Sequence, residues 1–143
     1  MKAADIKRLV LDASVTLAWC FEDEATGFTE ALLDLLSAGA ETLVPAIWSM
    51  EVANALLTAE RRKRITTAQV TGLLRRISKL PITVEPMPPA RAFEQVLQVA
   101  RQQELTEYDT AYLELALRES PPLATLDAKL RRAARSAGVA LVE

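Results

Sequence analysis

The sequence predicts an α/β domain: a mainly parallel sheet of four to five strands with helices on both faces. Three observations predict it. Short aliphatic runs such as Leu9-Val10-Leu11 alternate with stretches of helical periodicity along the whole chain. Those runs are apolar at consecutive rather than alternate positions, as in strands buried on both faces. Half of the 143 residues are hydrophobic and only 5% aromatic, which suits one aliphatic core and a single domain over 1–143.

The elements follow in order. Leu9 to Leu11 is the first strand, and Asp12-Ala13-Ser14 stands where it leaves the sheet. Ala13 to Phe21 is helical, with the lone cysteine, Cys20, expected as a small core residue. Glu22-Asp23-Glu24 interrupts it, and Thr26 or Thr29 starts a helix whose leucines 32, 35 and 36 share a face. Gly39 stops that helix. Thr42 to Pro45 is the second strand. A helix over about 46–62 follows, with Ala46, Ile47, Met50, Ala53, Leu56 and Leu57 at core spacings. Thr66 or Thr67 caps the next helix, whose stripe is Val70, Leu73, Leu74 and Ile77. Pro81 to Val84 is the third strand. Pro89 suits a first helical turn, and Phe93, Val96, Leu97 and Ala100 mark an amphipathic helix. A helix spans Glu107 to Arg118, stopped by Pro121-Pro122. Leu123 to Thr125 is the fourth strand, Asp127 to Ser136 the last helix, Gly138 its stop, and Val139 to Val142 the last strand. No internal repeat or interdomain linker interrupts this series.

Composition excludes several classes of function. The chain has no histidine, which removes histidine acid–base catalysis, Ser-His-Asp triads and histidine metal ligands. One cysteine allows no internal disulfide and no thiolate zinc cluster. A bound metal would have oxygen ligands, which suits Mg²⁺ or Mn²⁺. No apolar run approaches a membrane span of ~20 residues. The start, Met1-Lys2-Ala3-Ala4-Asp5, is charged and reads as having no signal peptide, so the expected location is the cytoplasm. A net charge of −2 is not that of a protein that coats nucleic acid.

Four acidic residues share a type of position. Asp12 and Asp127 lie just past strand ends, where open parallel sheets place their ligands. Glu51 and Asp109 lie early in helices that rise beside the same rim, and Asp109 lines up with the apolar Tyr112, Leu113 and Ala116. Each also has a purely structural reading. Asp12 turns the chain or caps a helix, Glu51 complements a helix dipole, Asp109 closes a capping box with Thr106, and Asp127 caps the last helix. Gathered in one crevice, they would repel: two charges 4 Å apart cost about 4 kcal/mol at a screened dielectric. A divalent cation relieves that repulsion and can activate a water.

The segments Leu-Asp-Ala-Ser (11–14), Pro-Ala-Ile-Trp-Ser-Met-Glu-Val-Ala-Asn-Ala-Leu (45–56), Leu-Thr-Glu-Tyr-Asp-Thr-Ala-Tyr-Leu-Glu-Leu-Ala (105–116) and Leu-Ala-Thr-Leu-Asp (123–127) resemble the four acidic motifs of PIN-domain ribonucleases. In detail they are similar to the VapC-type toxins of bacterial toxin–antitoxin pairs, in the same order and nearly end to end. The resemblance implies an α/β/α sandwich. It implies that Asp12, Glu51, Asp109 and Asp127 hold one or two Mg²⁺ or Mn²⁺ ions for endonucleolytic hydrolysis of RNA. It matches Ser14 to a hydroxyl that supports the first carboxylate, and Thr125 to the small polar residue before the last. It further implies a homodimer and a cognate antitoxin. Glu104 departs from the pattern, since relatives often carry glycine there, and a left-handed backbone at that position would cost it about 1 kcal/mol.

The arginine clusters 61–64, 75–76 with Lys79, and 131, 132 and 135 read first as solvated helix ends. As phosphate contacts, Arg131 stands first, being close after Asp127. Beside the toxin reading stand two others: a PIN-like RNA-processing nuclease without an antitoxin, and a protein-binding module with an idle acidic site. A phosphohydrolase fits less well, because Asp-Ala-Ser lacks a second aspartate at that turn.

Overall fold

A computed structural model of the chain describes residues 5–143. The opening residues 1–4, part of the charged start noted above, lie outside the described residues. Four strands, β1 (Arg8–Leu11), β2 (Glu41–Pro45), β3 (Ile82–Glu85) and β4 (Leu123–Ala124), form one sheet in the order β3-β2-β1-β4. Every pair is parallel. The expected last strand is reduced to one parallel bridge, Leu141 to Leu123. It is held by the Leu123 amide on the Ala140 carbonyl at 2.9 Å and the Val142 amide on the Leu123 carbonyl at 3.0 Å.

Strand order dictates the layers. From β1 the chain steps one way to β2 and β3, then returns across the sheet to β4 on the other side of β1. Right-handed crossovers therefore put the early helices on one face and the later ones on the opposite face. The contacts agree. Helices α1 (Ala13–Ala18), α3 (Ile47–Arg61) and α4 (Thr67–Ile77) pack in series. So do α6 (Leu97–Gln103), α7 (Glu107–Glu119) and α8 (Ala128–Ala137), with α7 lying against β1 and β2. The expected α/β/α sandwich is the observed fold. Its direction reverses between β1 and β4, and open parallel sheets keep their ligand crevice at such a point.

The core is aliphatic. Leu9, Val10, Leu11, Val44, Leu123 and Leu130 have no exposed surface, and each such side chain contributes roughly 1.5–3 kcal/mol through burial. Local signals set several boundaries. Helix α2 (Gly27–Ser37) opens on a reciprocal capping box between Thr26 and Thr29, and α4 on one between Thr66 and Gln69. Glu22–Glu24 forms the expected interruption as a single 3₁₀ turn. Among the described residues no helix is long and apolar enough to cross a membrane.

Three packing expectations are corrected. In α3 the inward face is Trp48, Val52, Leu56 and Ala59, while Met50 is 70% exposed and Ala53 and Leu57 also face water. The reason is the tryptophan. It is the largest apolar group in the helix, and its indole N–H finds the Thr16 hydroxyl of α1 at 3.0 Å, which sets the rotation of α3. Phe93 is 73% exposed, although Val96 and Ala100 are buried. The run α5 (Pro89–Arg91) to α6 contains a π turn over Ala92–Val96, and its extra residue moves Phe93 off the stripe. Cys20 is half-buried rather than a core residue, its Sγ 3.5 Å from the Thr16 carbonyl.

Glu104 ends α6 with φ 54° and ψ 45°, the left-handed conformation in which a Cβ is unfavourable. Replacing it with glycine removes that penalty. Glu104→Gly should stabilise the protein by roughly 0.5–1 kcal/mol in urea unfolding. Glu104→Ala, which keeps the Cβ, should stay within about 0.5 kcal/mol of the parent.

Candidate active site

The end of β1 and the end of β4 are joined by a small polar knot. The Asp12 amide donates to the Ala124 carbonyl at 2.9 Å, carrying the ladder to its last rung. The Asp12 side chain is 7% exposed. Its Oδ2 accepts the Ser14 hydroxyl at 2.6 Å and the fully buried Thr125 hydroxyl at 2.8 Å. Both hydroxyls accept in turn: Ser14 Oγ takes the Leu126 amide and Thr125 Oγ1 the Asp127 amide, each at 3.0 Å. A buried carboxylate is tolerable only when its lone pairs are met in this way.

Asp127 does what its position after β4 suggested and caps α8. Its Oδ1 accepts the amides of Lys129 at 2.9 Å and Leu130 at 3.4 Å. Asp109 stands in the first turn of α7, its amide held by Thr106 Oγ1 at 3.1 Å. No reciprocal box to the Thr106 amide forms, so that structural reading holds only in part. Glu51, in the second turn of α3, is half-buried. Its Oε1 accepts the Tyr112 hydroxyl at 2.5 Å.

These four acids feel one another. Burial pushes the Asp12 carboxyl above the ordinary range, and the Asp109 charge adds to that against the two hydroxyl bonds. Glu51 is pushed up by burial and by the charges of Asp12 and Asp109, against the Tyr112 bond. Asp109 is pushed up by burial and by Asp127, offset by Thr106 and Lys129. Tyr112 is pushed far up by burial and by its carboxylate acceptor, so its hydroxyl is a permanent donor. The couplings link residues 12, 51, 109 and 127 into one chain of like charge.

Arg131 is committed elsewhere. Its guanidinium donates to the Thr125 carbonyl at 3.1 Å and pairs with Glu143 at 3.6 Å. Sequence reasoning missed Lys129, the cation that offsets Asp109, and Tyr112 as a partner of Glu51. The signal for Tyr112 was present: a hydroxyl three residues after Asp109 inside a buried run.

Among the described residues no group of three or more acidic side chains stands close enough to grip one ion as placed. The donor chemistry nevertheless suits a hard divalent cation. All four groups are carboxylates, three of them disfavoured in charged form by burial and by neighbours of the same sign.

The PIN domain family matches residues 9–136. No curated protein matches the chain. Among solved structures, PAE2754 from Pyrobaculum aerophilum has a TM-score of 0.69 and 24% identity, over 90% of this chain and 79% of that one. VapBC2 from Rickettsia felis, bound to a DNA fragment from its promoter, has a TM-score of 0.65 and 13% identity, over 95% and 97%. VapC20 from Mycobacterium tuberculosis, a sarcin-ricin loop cleaving toxin, has a TM-score of 0.62 and 14% identity, over 87% and 94%. At these identities the likeness is one of fold.

Raised carboxyl pKa values have a fixed sign in stability. Well below the ordinary aspartate value of 3.8 the acids are protonated whether the chain is folded or not, and the repulsion is absent. As pH rises from the ordinary aspartate value of 3.8 through the raised folded-state value, the folded form resists ionisation and loses stability. In EDTA at neutral pH, Asp109→Asn should therefore raise the unfolding midpoint by a few degrees, about 1 kcal/mol. That gain should fade as the pH of the melt is lowered towards 4.

Proposed function

The chain belongs to the PIN-domain family, and from that premise we propose that it is a metal-dependent endoribonuclease acting as the toxin of a toxin–antitoxin pair. The observation that carries the reading is the coupled set Asp12, Glu51, Asp109 and Asp127, gathered beyond the strand ends at the switch between β1 and β4. The cleavage of the sarcin-ricin loop by VapC20, which shares the fold, supports RNA as substrate.

In this reading the four acids hold Mg²⁺ or Mn²⁺. When bound, the cation supplies an activated water and a counter-charge for the phosphate. The chain supplies the rest. Ser14 and Thr125 fix the Asp12 carboxylate in one orientation, so it needs no rearrangement when charge develops. Tyr112 fixes Glu51. The α8 cap fixes Asp127, and the amide of Asp127 is itself held by Thr125. With no histidine in the chain, a proton leaving the attacking water passes to a carboxylate or to solvent. Arg131 acts through the Thr125 carbonyl and steadies the same strand end. Phosphate contact falls more naturally to Lys129 and to the exposed Arg132.

The partners follow from the same reading. RNA places the protein in the cytoplasm. A homodimer is supported by an apolar hollow of about 310 Å³ lined by Ile47, Met50, Met87, Val96, Tyr108 and Ala111. Met50, Phe93 and Tyr108, each more than 60% exposed, stand at or next to it in the chain. The antitoxin covers the acidic site and silences it.

Purified protein should cut structured RNA in Mg²⁺ and stop in EDTA. Asp12→Asn and Asp109→Asn should each lower the rate at least about 100-fold. Full-rate cleavage by either folded variant would remove the site. Cleavage without any relief of toxicity by a neighbouring gene product would leave a nuclease that is not part of a pair. Met50→Asp should convert a dimer to a monomer in sedimentation, and unchanged mass would exclude the hollow as the interface.

A further inference from the structure

Three of the four acids share a detail. One oxygen of each is occupied by donors of the chain itself. Asp12 Oδ2 takes the Ser14 and Thr125 hydroxyls, Asp127 Oδ1 takes the Lys129 and Leu130 amides, and Glu51 Oε1 takes the Tyr112 hydroxyl. Glu51 and Asp127 thus each keep one oxygen that none of these donors occupies, while Asp12 takes a backbone bond from Ser14 as well.

For Asp12 and Asp127 most of this restraint is local, since a turn and a helix cap provide it. For Glu51 it is not. Glu51 has the longest side chain of the four, and a hydrogen bond to it comes from Tyr112, 61 residues away on α7. The tyrosine has no exposed surface, so it contacts neither RNA nor solvent. Its hydroxyl meets the Glu51 carboxylate and the backbone of Ala13, so any effect on a ligand passes through these groups.

Divalent cations differ in what they ask of a carboxylate. Mg²⁺ is small, takes an octahedral shell and is met by single oxygens and waters. Ca²⁺ takes six to eight oxygens and readily accepts both oxygens of one carboxylate. A glutamate with one oxygen held back serves the first ion well and the second poorly.

Building on the metal-nuclease reading above, we propose that Tyr112 is a positioning residue that sets the ion preference of the site. By holding Glu51 Oε1 it keeps Glu51 a one-oxygen ligand and biases the site towards Mg²⁺ and Mn²⁺ and against Ca²⁺.

The test uses the full chain and measures binding rather than turnover. Mg²⁺, Mn²⁺ and Ca²⁺ affinities are read by calorimetry, and Mn²⁺ also by the paramagnetic signal of the bound ion. Tyr112→Phe keeps the buried ring and removes the hydroxyl. It should shift the Ca²⁺ to Mg²⁺ affinity ratio towards Ca²⁺ by about 10-fold, the scale on which groups that orient metal ligands act. In a Glu51→Gln background the same change should shift the ratio by less than about 2-fold, because the two residues form one unit. An unchanged ratio in Tyr112→Phe overturns the proposal and leaves the hydroxyl as a satisfied core group. An equal shift with and without Glu51 also overturns it. If Tyr112→Phe does not fold, Tyr112→Met carries the same comparison. A parent protein that binds no divalent ion removes the nuclease reading itself, an outcome distinct from an unshifted ratio.

Discussion

The structure turns on the Asp12 carboxylate and the two hydroxyls that close on it. Ser14 belongs to the residues that follow β1 and Thr125 to those that follow β4, 111 residues apart in the chain. Their shared acceptor ties together the two strands between which the sheet changes direction. A backbone ladder alone would bring those strand ends side by side. The carboxylate gives their side chains a common target and fixes the path of Leu126 and Asp127 through the return bonds. In a region that excludes water, hydrogen bonds to a charged acceptor are about twice as strong as neutral ones, so a few atoms govern the geometry of the whole rim.

That arrangement conflicts with the electrostatics of the folded state. Burial and like charge both disfavour the ionised acids, and Lys129 offsets Asp109 in part. The conflict is borne by the aliphatic sheet beneath, where β1 and β4 are buried on both faces. A domain of this size keeps only about 5–15 kcal/mol in hand, so a cluster that opposes folding is tolerated only where it serves something else. In the proposed reading that service is the holding of a cation. Glu114 shows a contrasting case: a buried carboxylate in the middle of α7 whose Oε1 meets Arg118 at 3.2 Å and Arg91 at 3.9 Å, while its Oε2 has no hydrogen-bond partner among the described residues.

Much of this was legible in the chain. Consecutive aliphatics marked the strands, Thr26, Thr66 and Thr106 marked helix starts, and Asp12 and Asp127 stood at strand ends because aspartate turns and caps a chain there. Even the left-handed Glu104 was legible, as a side chain where a glycine was expected. Two of the packing errors concern helices. The stripe through Met50 and Leu57 is helically periodic, but α3 carries a second apolar face in Trp48, Val52, Leu56 and Ala59, while the stripe through Phe93 keeps Val96 and Ala100 buried and loses Phe93. Periodicity shows that a helix has an apolar face without saying which of two such faces meets the sheet. Trp48 on Thr16 and the π turn before Leu97 decided it.

The order of strands and helices, the absence of histidine chemistry and the placing of acids at strand ends were determined by the sequence itself. These rest on local propensity, composition and signals a few residues long. Tertiary structure alone decided that Thr125 donates to Asp12, that Tyr112 holds Glu51, and that Arg131 is committed to a carbonyl. Each is a contact of a side chain whose partner depends on how an element is rotated and how far it slides. Rotation and sliding are set by packing between segments distant in the chain, where no local pattern records them.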